Sequence, residues 1–200
     1  MPRTADPDLQ KERREQILAA AQVVFAEHGF ADAPMVTIAK QAGVSKGTVY
    51  LYFASKDDLI AALLDDFLAE SLTYLHMLVE QKEVRVRDRL TAYAEAVSTQ
   101  MAADSSMLSI AYEFYALAAR NPAVRMALQT YFSAYGQALE TLLLQGVDSG
   151  EVAAGTDVAA AAVMLVALLE GVTLLWFTDP DAVDITAMLP AALRQFLNSL

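Results

Sequence analysis

The chain has 200 residues, is rich in apolar side chains, carries a net charge of −11 and contains no cysteine. That length suffices to bury a real core in one or two modest domains. The lack of cysteine excludes a disulfide framework, a thiolate metal site and a cysteine nucleophile, and fits a reducing cytoplasm.

Met1 to Ala5 reads as a tail carrying Arg3, with no basic, apolar leader, so no secretory signal is expected. Asp6-Pro7 is a cap with a first-turn proline behind it. The first helix should run to about His28, with Ile17, Ala21, Val24 and Phe25 on one face, Gly29 ending it and Phe30 folding back. Lys11, Arg13 and Arg14 crowd its early part, either as a solvated face mixed with Glu12 and Glu15 or as phosphate contacts. Val36 to Leu59 then reads as two short helices and the start of a third. Ile38, Ala39 and Ala42 recur at helical spacing, Gly43 supplies a residue tolerant of positive φ, and Ser45 can N-cap the second short helix. That helix, Lys46 to Phe53, points Val49 and Phe53 at a core and leaves Lys46, Thr48, Tyr50 and Tyr52 on other faces. Short helix, glycine turn, short polar helix is the helix-turn-helix arrangement, whose second helix enters a DNA major groove.

Ser55 and Asp58 form a capping-box-like start for a fourth helix through Leu59, Leu63 and Phe67 to about Gln81, with Lys56 in its first turn placed for a phosphate. After a polar break, a fifth helix spans about Val86 to Ala103, and a sixth runs from Asp104-Ser105 to about Ala119. Asn121-Pro122 opens a long seventh, closed by Gly150, in which Val124, Leu128, Tyr131, Tyr135, Ala138 and Leu142 share a face. The eighth runs from Thr156 or Asp157 to about Thr178, and a last stretch reaches Asn198 with Pro190 as its start or a kink. No alternating strand pattern is present, so the chain is read as all-α with about nine helices. Val158 to Phe177 is long enough to cross a membrane. Asp157, Asp179 and Asp181 at its ends, with no Lys or Arg beside them, argue for a helix buried in a core and a subunit interface instead.

Ile38-Ala39, Ala42-Gly43-Val44-Ser45, Gly47-Thr48, Tyr50, Tyr52-Phe53, Lys56 and Leu59, with Phe25 and Gly29-Phe30 upstream, closely resemble the DNA-binding core of the tetracycline-repressor (TetR) family of bacterial transcription regulators. The likeness covers Ile17 to Leu64. It departs at Ala33-Pro34, where the family usually has a capping Thr or Ser. The resemblance implies a helix-turn-helix domain over residues 1–55 and a helical ligand-binding and dimerisation domain over 56–200. It implies a homodimeric repressor on a double-stranded, pseudo-palindromic operator, released by a small-molecule effector. Lys46, Gly47 and Thr48 are expected at or near base edges, Tyr50, Tyr52 and Lys56 at phosphates, and Thr37 and Ser45 assisting. The charge agrees: residues 1–56 hold seven Lys/Arg against six Asp/Glu and the remainder seven against nineteen, so a polyanion is drawn to the first part alone.

Beyond the motif, Tyr93, Met101, Met107, Tyr112, Phe114, Tyr115, Tyr131, Phe132 and Tyr135 fit either an ordinary core or a mostly apolar cavity with phenolic hydroxyls to orient a ligand. Glu113 and Glu170 are the acids inside strongly apolar helical runs, and each needs a partner within the fold or on a ligand. The family pairs its last two long helices between subunits, which here would place Leu165, Leu168, Leu169, Leu193, Phe196 and Leu197 at a dimer interface. Catalysis is not expected. His28 and His76 are far apart, His76 with Glu80 supplies only two metal ligands, and neither a phosphate loop nor a nucleophile elbow is visible. No cofactor, metal or membrane is expected. A helical adaptor that binds only protein is the other class, and the intact Lys46, Thr48, Tyr50, Tyr52 and Lys56 set argues against it.

Overall fold

The computed structural model describes residues 7–200, so Arg3 and the Asp6 cap lie outside the described residues. Those residues form nine helices and no strand: α1 (Pro7–Asp32), α2 (Met35–Gln41), α3 (Lys46–Tyr52), α4 (Lys56–Glu80), α5 (Val86–Ala103), α6 (Ser106–Ala118), α7 (Pro122–Asp148), α8 (Val158–Thr178) and α9 (Ile185–Asn198). The local signals mostly act as chemistry requires. Ser45 Oγ accepts the Thr48 N–H at 3.0 Å, Ser55 Oγ that of Asp58 at 3.0 Å, and Asp157 Oδ1 that of Ala160 at 3.0 Å. Pro34 sits at the N-cap of α2 with no side-chain cap bond, so the missing hydroxyl is not replaced.

Two helix ends differ from the expectation. Gly29 adopts φ 70° and ψ 165°, but one more turn continues past it before α1 ends at Asp32, so the glycine marks a kink rather than a stop. Pro190 lies inside α9, past its Asp184 cap, and is not the start of the helix.

The chain groups into two compact units. The first comprises residues up to Phe67 together with Ser106–Arg125, and the second Leu68–Ser105 with Met126–Leu200. In the first, α1 packs on α2 and on α6, and α2 on α3. Ile17, Phe25, Ile38, Val49 and Phe114 are essentially inaccessible there. Phe30 stands edge-on to Phe25 at 5.0 Å and against Phe114 at 4.8 Å, so α6 closes the core under the helix-turn-helix. In the second, α9 packs on both α5 and α8, and Leu90, Leu139, Leu142, Leu165 and Leu193 are buried there.

Polar side chains finish two helix ends in the second unit. Arg89, 3% exposed, donates from Nη1 to the Leu78 and Val79 carbonyls at 2.6 and 3.4 Å, and Gln145 Nε2 reaches the Val79 carbonyl at 3.2 Å. The last carbonyls of α4 are thus satisfied by a cation that complements the negative end of the helix. Glu151 does the converse at α5, accepting the Val86 and Arg87 N–H groups at 3.0 and 3.1 Å. Burial works to raise the Glu151 carboxyl. The Arg87 and Val86 amides, the Ser149 hydroxyl and Arg85 outweigh it and hold the group below its ordinary value. A depressed carboxylate adds stability above its unfolded pKa and loses it as pH falls through the folded one. Thermal melts from pH 7 to 3 should therefore fall less steeply for Glu151→Gln than for wild type, and parallel acid limbs would show that Glu151 is not responsible.

α8 is the described helix long and apolar enough to cross a membrane, yet only 28% of its most apolar 18-residue window is buried. Ala161, Ala162, Leu165, Leu169 and Thr173 face inward. Val163, Met164, Leu174 and Leu175 are 68, 59, 49 and 62% exposed. With Ala160, Ala167 and Gly171 these form one continuous stripe at helical spacing. Four of the six side chains expected at a subunit interface are therefore already used within the protomer. Leu165, Leu169, Leu193 and Leu197 are at most 7% exposed, and only Leu168 and Phe196 remain half-exposed.

Candidate nucleic-acid interface and effector region

The first unit presents α3 on a rigid mount. Gly43 at φ 63° lets the chain turn out of α2, with the Val44 N–H returning to the Ala39 carbonyl at 3.0 Å. Gln16 of α1 donates its side-chain amide to the Ala42 carbonyl at 2.7 Å, pinning α2 to the first helix. Val49, 0% exposed, and Phe53, 4% exposed, then seat α3 in the core. Its outward surface carries Lys46, Gly47, Tyr50 and Leu51, with Thr48 and Tyr52 at the sides.

The side chains expected to contact DNA divide by their present partners. Lys46 Nζ lies 5.7 Å from the centre of the Tyr50 ring, a cation over an aromatic face on the exposed surface. The Ser45 and Thr48 hydroxyls are 2.9 Å apart and serve the helix start. Lys56 Nζ donates to the Ala31 carbonyl at 2.8 Å, bridging α4 to the end of α1, so a phosphate would have to compete for it. Thr37 is half-buried on α2, and Lys40 on the same helix is exposed. Of the basic cluster on α1, Arg14 lies over the Phe53 ring at 5.5 Å and 3.8 Å from Asp66, whereas Lys11 is exposed beside Glu15.

The residues expected to line a ligand cavity fall in different units. Tyr93, Met101, Tyr131 and Tyr135 belong to the second. There the Tyr93 and Tyr135 hydroxyls are 2.9 Å apart, Tyr74 packs on Tyr93 at 5.5 Å and Tyr131 on Tyr135 at 5.6 Å. Burial pushes the Tyr93 phenol up; its bond with Tyr135 opposes this and the Glu170 charge reinforces it. Tyr135 is pushed higher still, by burial first and then by Tyr93 and Glu170. Both phenols are neutral hydrogen-bonding groups at physiological pH, with an acid of α8 nearby. Thr173 of α8 directs its hydroxyl to the Leu169 carbonyl at 2.8 Å and lies 4.0 Å from Met101 Sδ.

Met107, Tyr112 and Glu113 are on α6, in the first unit. Met107 receives the Gln22 amide and Glu113 Oε2 the Phe30 N–H at 3.4 Å, so both tie α6 to α1. A Cβ on Gly29 would stand 3.2 Å from Glu113 Oε1, which shows how closely the carboxylate fits the kink. Sequence reasoning gave Glu113 a partner within the fold or on a ligand without naming it, and it missed Gln16 and Arg89. An apolar run containing one acid says that the acid has a partner but not which helix supplies it.

An all-α chain with a helix-turn-helix mounted this way, its second helix open to solvent, defines a DNA-binding regulator. Comparison with known families specifies which. Residues 17–63 match the model for bacterial regulatory proteins of the tetR family, and residues 86–200, more than half the chain, match the C-terminal model of BetI-type transcriptional repressors. The chain belongs to the TetR family of transcriptional regulators, and it is not an enzyme. It is 25% identical over 185 residues to the fatty acid metabolism regulator protein of Bacillus subtilis, covering 92% of this chain and 94% of the relative. Its fold is similar to the crystal structure of FadR from Bacillus subtilis with stearoyl-CoA: TM-score 0.78, 25% identity, 93% and 98% of the two chains covered. It is likewise similar to the SmeT–triclosan complex, at TM-score 0.80 and 25% identity over 94% and 91% of the chains.

Proposed function

We propose that this regulator is a cytoplasmic homodimeric repressor that leaves a pseudo-palindromic operator when a small molecule binds its C-terminal part. The observation that carries the reading is the outward face of α3, where Lys46 and Tyr50 stand exposed on a helix held by Val49 and Phe53. Two such helices in one dimer enter successive major grooves about one helical turn apart. Lys46, Gly47 and Thr48 approach base edges, Tyr50, Tyr52 and Lys56 meet phosphates, and Thr37 and Ser45 assist.

The partner of the dimer is a second copy, joined through the exposed stripe of α8 (Val163, Met164, Leu174 and Leu175) with Met188, Leu168 and Phe196 beside it. Ala167 and Gly171 at the middle of the stripe allow the two helices close approach, and covering it removes an apolar patch from water. The effector is a largely apolar molecule with one hydrogen-bonding group, oriented by the Tyr93–Tyr135 pair and flanked by Tyr131 and Met101. Relatives whose structures hold stearoyl-CoA or triclosan support an apolar ligand of this kind. A preference of about 1–3 kcal/mol for the conformation that does not bind DNA weakens the operator complex about 5- to 150-fold.

The test is fluorescence-anisotropy titration of duplex DNA from immediately upstream of the coding region, at several salt concentrations and against scrambled competitor. Specific binding with a steep salt slope is expected. Lys46→Ala should change which sequences bind, whereas Tyr50→Ala should weaken all sequences alike. No binding even at low salt would replace the reading with a protein-only adaptor.

A further inference from the structure

α3 has one feature that phosphate binding does not use. Val49 and Phe53 point into the core, and the ridge opposite them, at a spacing of four, is Gly47 and Leu51. Leu51 is 84% exposed, more than any other large apolar side chain among the described residues. A single exposed leucine is unremarkable by itself. Its position is what matters: when α3 enters a groove, this ridge lies deepest, while Lys46 and Tyr50 flank it on one side and Thr48 on the other.

Gly47 is an independent sign that something approaches the same ridge. It is not among the glycines with positive φ, and a Cβ there would meet only Ser45 Oγ at 3.6 Å, an ordinary contact. Nothing among the described residues requires glycine at this position. Room for a partner outside the chain accounts for it. One turn further along, the partner must offer an apolar surface to Leu51. The major groove of duplex DNA displays one apolar group, the C5-methyl of thymine.

We propose that Leu51 is a specificity-determining residue that reads the methyl group of a thymine in each operator half-site, with Gly47 letting the helix come close enough for it to do so. The proposal rests on the DNA-binding reading of α3. Leu51 supplies no hydrogen bond and no charge, so its contribution is sequence preference rather than general affinity.

The experiment is binding selection from a pool of randomised duplexes, with the full chain as wild type and as Leu51→Ala. The exposed position of Leu51 leaves the fold of the variant intact. Wild type should enrich a symmetric motif with a thymine that the variant no longer selects, and the two proteins should bind a scrambled duplex equally. Replacing that thymine by uracil, which deletes only the methyl group, should weaken wild type about fourfold and the variant less than twofold. A wild-type motif whose thymines are all retained by Leu51→Ala overturns the proposal, as does uracil weakening both proteins equally. Failure of wild type to enrich any motif overturns the DNA-binding reading itself, and the proposal with it.

Discussion

Leu175→Glu is expected to leave the protein folded, convert it to a monomer and lower operator affinity at least 100-fold. Leu175 is 62% exposed on α8, so a carboxylate there meets water in the isolated protomer and disturbs none of its packing. In the proposed dimer the same position is covered by a second α8. Two carboxylates would then be buried in the interface without partners, which opposes assembly by several kcal/mol. Each monomer carries one recognition helix, so the second half-site is lost as an intramolecular contact. Sedimentation velocity and anisotropy read the two effects. Leu165→Glu is the contrasting variant: Leu165 is 0% exposed, so a charge there should unfold the second unit rather than divide a dimer. A Leu175→Glu protein that remains dimeric with full DNA affinity would place the interface elsewhere.

Phe114→Ala should destabilise the protein by about 3–5 kcal/mol and loosen the helix-turn-helix although the substitution lies on α6. The ring is 0% exposed and packs on Phe30 at 4.8 Å, which in turn packs on Phe25. Its removal leaves a cavity beneath α1, the helix that positions α2 through Gln16. The melting temperature should fall by about 6–20 °C for a chain of this size. Hydrogen exchange should locate the effect, with amides of α1, α2 and α3 losing protection. Leu142→Ala is the control, because it removes an equally buried side chain from the second unit and should leave α1–α3 protected. Equal loss of protection in both variants would mean that α6 has no particular bond to the DNA-binding unit.

The helices were legible in the sequence because their caps and breakers act locally: Ser45 at α3, Ser55 at α4, Asp157 at α8 and Gly43 in the turn each perform the role their chemistry suggests. The core of the motif was legible because Val49 and Phe53 must share a face at a spacing of four. Leu51 was within reach of the same reasoning, since it lies opposite that face, but its exposure had to be seen before an apolar side chain there could be separated from core. Gly29 and Pro190 were recognised as interruptions, while the helix turns that continue beyond them depend on tertiary packing.

By itself the sequence determined that the chain is all-α, that Val36 to Leu59 reads as a helix-turn-helix, and that the excess negative charge lies beyond residue 56. Each of these comes from interactions between near neighbours or from summed charge. Only the tertiary structure decided which unit α6 joins, which helix end Arg89 satisfies, where Glu113 finds its partner, and which face of α8 stays open. α8 is apolar almost all round, so Leu165, turned inward, and Leu175, turned outward, are chemically the same residue. Periodicity cannot distinguish two faces of equal hydrophobicity, and the packing of α9 against one of them makes the choice.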